Sequence, residues 1–276
     1  MKLRLLFLHI FLLICFRSIS QELPKVQKSN LRAPSNIKID GQDKELEAPF
    51  QAYNNATEIF YSVLNDDENL YLRVKATKPR IIEKIISAGI TFIVNSKGQK
   101  NNKDLNNISI TYPIMALSPG YRILSLTGNR DIANNPNIPG MPIDTNDKPN
   151  FSPSDSLKAL ANKSIVSNAK EIKIKGAKGI TDTLVSIYNE EKIRVAAAFD
   201  TNGAYLYELA IPLKYLELFI NDPKIFAYSV KIAGRLEDPK YGLRVRYVYP
   251  NGVKTDVDQD LNSTTKFWGE YILKQK

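Results

Sequence analysis

Histidine, cysteine and tryptophan are almost missing: the chain of 276 residues has one of each and only 3 methionines. His9 and Cys15 both stand before Gln21, in a stretch that reads as a removable leader. Met1 to Arg4 is short and basic, Leu5 to Phe16 is apolar, and Ser18 and Ser20 occupy the two small-residue positions before a cut at Gln21. The apolar run is too short to span a bilayer, which takes about twenty residues, and no later segment carries an uninterrupted apolar stretch of that length. Bulky Ile14 before Cys15 speaks against a lipoprotein cut there. The expectation is residues 1–20 as signal peptide and a secreted or periplasmic chain with no membrane span.

Past residue 20 there is then neither imidazole nor thiol. That excludes Ser-His-Asp and Cys-His catalysis, zinc, copper and haem sites of the usual kind, and any disulfide within the chain. Carboxylate chemistry, Lys or Tyr chemistry and oxygen-ligand sites for hard cations remain. Disorder is excluded too, because 43% of residues are hydrophobic and 24% charged. The net charge of +9 falls to about +6 once Lys2, Arg4 and Arg17 leave with the leader. A basic stretch at Lys170, Lys173, Lys175 and Lys178 carries no nucleic-acid motif, and nucleic acid is not an expected partner.

What is present is mostly strand. Residues 21–35 have no apolar period and read as a flexible N-terminal segment, with a single sandwich domain expected over residues 36–276. Ile37 to Gly41 alternates and ends in an Asp-Gly turn signal, while Thr57 to Leu64 and Asn69 to Thr77 form a hairpin around Asp66, Asp67 and Glu68. Pro79 to Ser87 places Ile81, Ile82, Ile85 and Ile86 at helical spacing behind a proline. Strands are expected at Ile90 to Val94, Ile108 to Met115 and Tyr121 to Leu126, followed by a long Asn-, Asp- and Pro-rich loop at 127–151. A capped helix is expected at Ser154 to Asn162. Strands follow at Ile172 to Lys175, Leu184 to Tyr188, Ile193 to Phe199 and Ala204 to Ile211, the last two joined through Asn202-Gly203. Leu213 to Phe219 has helical spacing, and Ile225 to Ala233, Leu243 to Tyr249 and Phe267 to Leu273 complete the strands. The pattern predicts an all-β, two-sheet antiparallel β-sandwich, jelly-roll-like, with a few short helices.

Four of these segments, in order, resemble family 9 carbohydrate-binding modules and the related DOMON-like sandwiches. They are Ile39-Asp40-Gly41, the hairpin from Tyr61 to Leu72, Gly89 to Asn95, and Tyr207-Glu208-Leu209-Ala210-Ile211-Pro212-Leu213. The resemblance covers Asn36 to the C-terminus except the loop at 127–151, and it implies a non-catalytic carbohydrate-binding sandwich. The paired tryptophans that hold a sugar in such modules have no counterpart, since Trp268 is the only one. The alternatives are a structural or partner-binding envelope protein without a sugar site, and a glycoside hydrolase built on carboxylates such as Glu208 and Glu270.

Candidate ligand-binding residues are Tyr241, Arg244, Arg246, Tyr247, Tyr249 and Trp268, because aromatic faces stack on sugar C–H surfaces and guanidinium groups bind hydroxyls. In alternation Tyr247 and Tyr249 share one strand face and Arg244 and Arg246 the other; the competing role for the tyrosines, and for Trp268, is core packing. Tyr205 and Tyr207 share a face with Leu209 and Ile211 and read as core. That alternation puts Glu208 on the opposite, solvent-facing side. Asp256, Asp258 and Asp260 alternate like a calcium loop, but Leu261 and Phe267 stand where an EF-hand needs Gly and Glu. They would suit another kind of calcium site or a solvated acidic loop. The partner expected from these features is a carbohydrate or cell-envelope glycan, or else an envelope protein.

Overall fold

The computed structural model describes residues 22–44, 50–101, 103–126, 154–234 and 262–276. Its twelve strands fall into two six-stranded sheets, all antiparallel except at one edge. The first sheet contains β1 (Leu31–Arg32), β2 (Ala52–Asn54), β3 (Ile59–Asn65), β4 (Asn69–Ala76), β9 (Arg194–Phe199) and β10 (Tyr205–Pro212). Its order is β1-β3-β4-β10-β9, with β2 pairing the same edge of β3 that β1 uses. The second sheet runs β12 (Thr265–Tyr271), β11 (Phe226–Ile232), β5 (Ile90–Asn95), β6 (Asn107–Ile114), β7 (Glu171–Lys175) and β8 (Leu184–Ser186).

The two sheets pack face to face, because β3, β4 and β10 of the first sheet turn an apolar set inward. Tyr61 and Val63 of β3, Leu72 and Val74 of β4, and Tyr207 and Leu209 of β10 are cross-strand neighbours on that face and are buried. Rings then cross the interface. Tyr61 lies 4.7 Å from Phe267 and shares a hydrogen bond of 3.2 Å with Tyr228, while Tyr112 lies 6.2 Å from Tyr207. Gly269 makes room for this packing, since a Cβ there would sit 2.4 Å from the Tyr228 ring.

The helices close the open flanks. α1 (Pro79–Ala88) starts at a proline, buries Ile81, Ile82, Ile85 and Ile86, and stops where the Gly89 N–H bonds Ile85 O at 2.8 Å. α3 (Asp155–Asn168) is capped by Ser154, whose side chain accepts the Leu157 N–H, and it runs one and a half turns past the predicted end at Asn162. α2 (Leu117–Leu126) occupies the segment whose second half was predicted as a strand. Gly120, Ile123 and Leu124 fall on one helical face there, and a Cβ on Gly120 would already be 3.6 Å from Ile86 of α1. Packing against another helix decides the conformation, which period-2 reading misses. A 3-10 turn at Leu213–Leu216 replaces the longer helix predicted from Leu213 to Phe219.

Two further expectations change. Ile37 to Ile39 is not a strand but an irregular run across the outer face of the first sheet. The stretch before Asn36 takes part in the fold: the buried Gln27 side chain donates to Val63 O and accepts from Val63 N, and β1 pairs in parallel with β3. The leader expected at 1–20, the whole 127–151 loop and the strand expected at Leu243 to Tyr249 lie outside the described residues. Among the described residues, no helix is long and apolar enough to cross a membrane.

Candidate functional site

The β3–β4 hairpin tip is organised around one carboxylate. Asp66 accepts the backbone N–H groups of Glu68 at 2.8 Å and Asn69 at 2.6 Å, and the Tyr71 hydroxyl donates to its other oxygen. Burial alone would raise its pKa, but these donors outweigh burial and hold Asp66 below the ordinary range. Asp67 faces Arg32 at 2.7 Å and Lys276 at 3.1 Å. The acidic run at the tip is therefore mostly spent on the turn and its flanking cations.

Beside this tip opens a cleft of about 600 Å³. Arg32, Ala33, Pro34, Ser35 and Ile37 line one side, the tip residues Asp66 to Asn69 another, and Tyr71 and Arg194 come from the outer face of the first sheet. The lining alternates apolar surface (Ala33, Pro34, Ile37, the Tyr71 ring) with groups that donate or accept hydrogen bonds. Among the described residues Arg194 and Glu68 are exposed and enter no ion pair, so both keep free hydrogen-bonding capacity at the cleft. A neutral polar ligand with an apolar face matches such a lining better than a purely apolar one does.

Glu208 is the carboxyl whose position departs most from its sequence reading. Alternation put it opposite Tyr205, Tyr207 and Leu209, and that is where it is, but it is only 3% exposed rather than facing solvent. The segment through Asp40 and Gly41 lies over it. Glu208 Oε2 accepts the N–H groups of Asp40 at 3.1 Å and Gly41 at 3.0 Å, and its Oε1 accepts Arg73 Nε at 3.3 Å. Arg73 is the directly opposed residue on β4, and Phe50 lies against its guanidinium at 5.2 Å. Burial pushes the Glu208 carboxyl up to about 7, against the lowering effect of the two N–H groups and Arg73. Glu270, the other carboxylate considered for catalysis, is exposed on β12 and pairs with Lys100 at 2.8 Å.

Of the predicted ligand-binding residues, Tyr241, Arg244, Arg246, Tyr247 and Tyr249 lie outside the described residues, as do Asp256, Asp258 and Asp260. Trp268 is placed half-buried on the outer face of the second sheet, while its neighbours Phe267, Gly269 and Tyr271 turn inward. It is not a core residue, because one-residue alternation gives the interior to its neighbours. Among the described residues no three His, Cys, Asp or Glu side chains gather in a group that could hold a metal ion. The cleft itself was missed from sequence: Arg32, Tyr71 and Arg194 lie far apart in the chain and meet only through strand pairing. No protein-family model, curated protein or solved structure matches the chain.

Proposed function

We propose that this protein is a secreted or periplasmic, non-catalytic β-sandwich that binds carbohydrate, an envelope glycan or similar polymer, in the cleft beside the β3–β4 tip. The observation that carries the reading is the composition of that cleft: apolar patches from Pro34, Ile37 and Tyr71 lie beside Arg194 and Glu68, which form no ion pair among the described residues. Sugars present that same mixture of C–H faces and hydroxyls. The likeness of four ordered segments to family 9 carbohydrate-binding modules supports the fold more than the ligand, since the tryptophan pair that holds a sugar there has no counterpart.

A non-catalytic role is supported by the state of the carboxylates. A glycosidase needs one protonated and one ionised carboxyl facing a common space. Glu208 has the raised pKa of an acid, but both of its oxygens are engaged beneath the covering segment. Asp66, at the cleft, is held in its ionised form.

The test is glycan binding by the chain from Gln21 with Arg194→Ala and Glu68→Gln. We expect each to weaken binding at least about fivefold, the loss of one to two good hydrogen bonds. Binding that both variants leave unchanged, but Tyr247→Ala and Tyr249→Ala abolish, would contradict the cleft as the site. One observation favours a second reading, docking to an envelope protein. Leu105 (98% exposed), Phe219 (65%) and Ile225 (60%) lie in the β5–β6 and β10–β11 connections, and β11, β5 and β6 are adjacent strands, so Leu105 and Ile225 leave the same end of the sheet.

A further inference from the structure

Residues 31–44 cover the outer face of the first sheet. Leu31, Ala33, Ile37 and Ile39 pack there on Leu64, Tyr71 and Ala210. Farther along, Gly41 comes so close to β9 that a Cβ would meet backbone atoms of Ala197 and Ala198 at 3.0 Å. Yet from Pro34 to Lys44 the segment joins no strand ladder. Its direct backbone hold on the sheet in that stretch is the pair of N–H groups that Glu208 accepts. A segment held by few apolar contacts and two side-chain hydrogen bonds belongs to the low-stability end of a fold. Its first part supplies Pro34, Ser35 and Ile37 to one side of the cleft.

We infer that residues 34–44 form a movable strap, that Glu208 is the clasp fastening it, and that the clasp positions one wall of the cleft. The consequence for ligand rests on the glycan-binding reading above; the strap and clasp do not. Of the charged groups on this face of the sheet, Arg73 and Asp40 act on Glu208 directly, and the others stand farther along it. Arg73 and Lys75 come from β4, Arg194 from β9, Asp40 and Asp43 from the strap, and Asp200 from the β9–β10 turn, where it meets Lys75 at 3.1 Å. Closed, burial to which the strap contributes holds the Glu208 carboxyl up at about 7, against the lowering effect of the strap's two N–H groups. Open, the carboxyl meets water beside Arg73 and returns toward the ordinary value of about 4.3. The closed form therefore binds the proton more tightly. By linkage, closure is favoured below pH 7 and opposed as pH rises through that value, by at most about tenfold per pH unit between the two pKa values.

Hydrogen exchange on the full chain from Gln21 reads this directly. The amides of Ser35 to Asp43 are compared with those of β5 and β11, at pH 6 and pH 8.5, after correction for base-catalysed intrinsic exchange. We expect strap opening to rise on the order of tenfold at the higher pH while the core strands stay constant, and the rise to vanish in Glu208→Gln. A strap-to-core ratio independent of pH in the wild-type chain, or the same pH dependence in Glu208→Gln, would overturn the clasp. The pH series needs no variant, so a misfolded Glu208→Gln does not blunt the test. Glycan binding that is equal at both pH values while the strap opens would refute the positioning of the cleft wall. A chain that binds no glycan on an array yet opens its strap with a midpoint near pH 7 would refute the glycan reading and support the clasp.

Discussion

Gly41 carries more of the account than its place in an Asp-Gly turn implies. Its φ of 79° lies in the left-handed region, and its backbone stands against β9. Gly41→Ala meets both strain and contact, so we expect a loss of about 2–3 kcal/mol in urea unfolding; a loss under about 0.5 kcal/mol would contradict the close seating of the strap. The tyrosines give the opposite case. Tyr205 and Tyr207 were legible as core from their alternation with Leu209 and Ile211, but their hydroxyls are buried without a hydrogen-bond partner among the described residues. Removing an unsatisfied buried hydroxyl lifts a desolvation cost. Tyr207→Phe is therefore expected to leave stability unchanged or raise it by up to about 1 kcal/mol, measured by thermal or urea unfolding. The burial of Glu208 was not legible, because alternation assigns a face and says nothing of what lies over that face.

At the scale of elements, the hairpins were legible and the covering segments were not. β3–β4 and β9–β10 show in the sequence because alternation and turn chemistry agree: Asp66 organises one tip, and Asp200 accepts from Asn202 and Ala204 at the other. The segment from Tyr121 to Leu126 misled because a short apolar run fits strand and helix alike, and contact with α1 settles it. Residues 31–44 misled for a related reason. A chain that lies across a sheet face needs apolar residues at irregular spacing, which no period reveals. The cap of α3 belongs here as well: Ser154→Ala removes the acceptor for the Leu157 N–H at an exposed helix start, with an expected cost of about 1 kcal/mol seen as a lowered unfolding midpoint. No change at all would show that the helix start is held by its packing and not by its cap.

For the whole molecule, the fold follows from what the chain lacks. Past residue 20 it has no cysteine to cross-link, so two sheets must bury enough apolar surface by themselves, and the ring contacts among Tyr61, Tyr228 and Phe267 do this at the centre. The same sheets bring Arg32, Tyr71 and Arg194 to one cleft and lay a strap along its side. Past residue 20 the chain has no histidine, which excludes imidazole catalysis and leaves carboxylate, Lys and Tyr chemistry.

The central claim is glycan binding at the cleft, and a glycan-array screen of the chain from Gln21, run with calcium and with a chelator, tests it most directly. The account predicts saturable binding to one glycan class, weakened by Arg194→Ala, and loss of binding on chelation would place calcium in or beneath the site. Absence of binding in both conditions would contradict it.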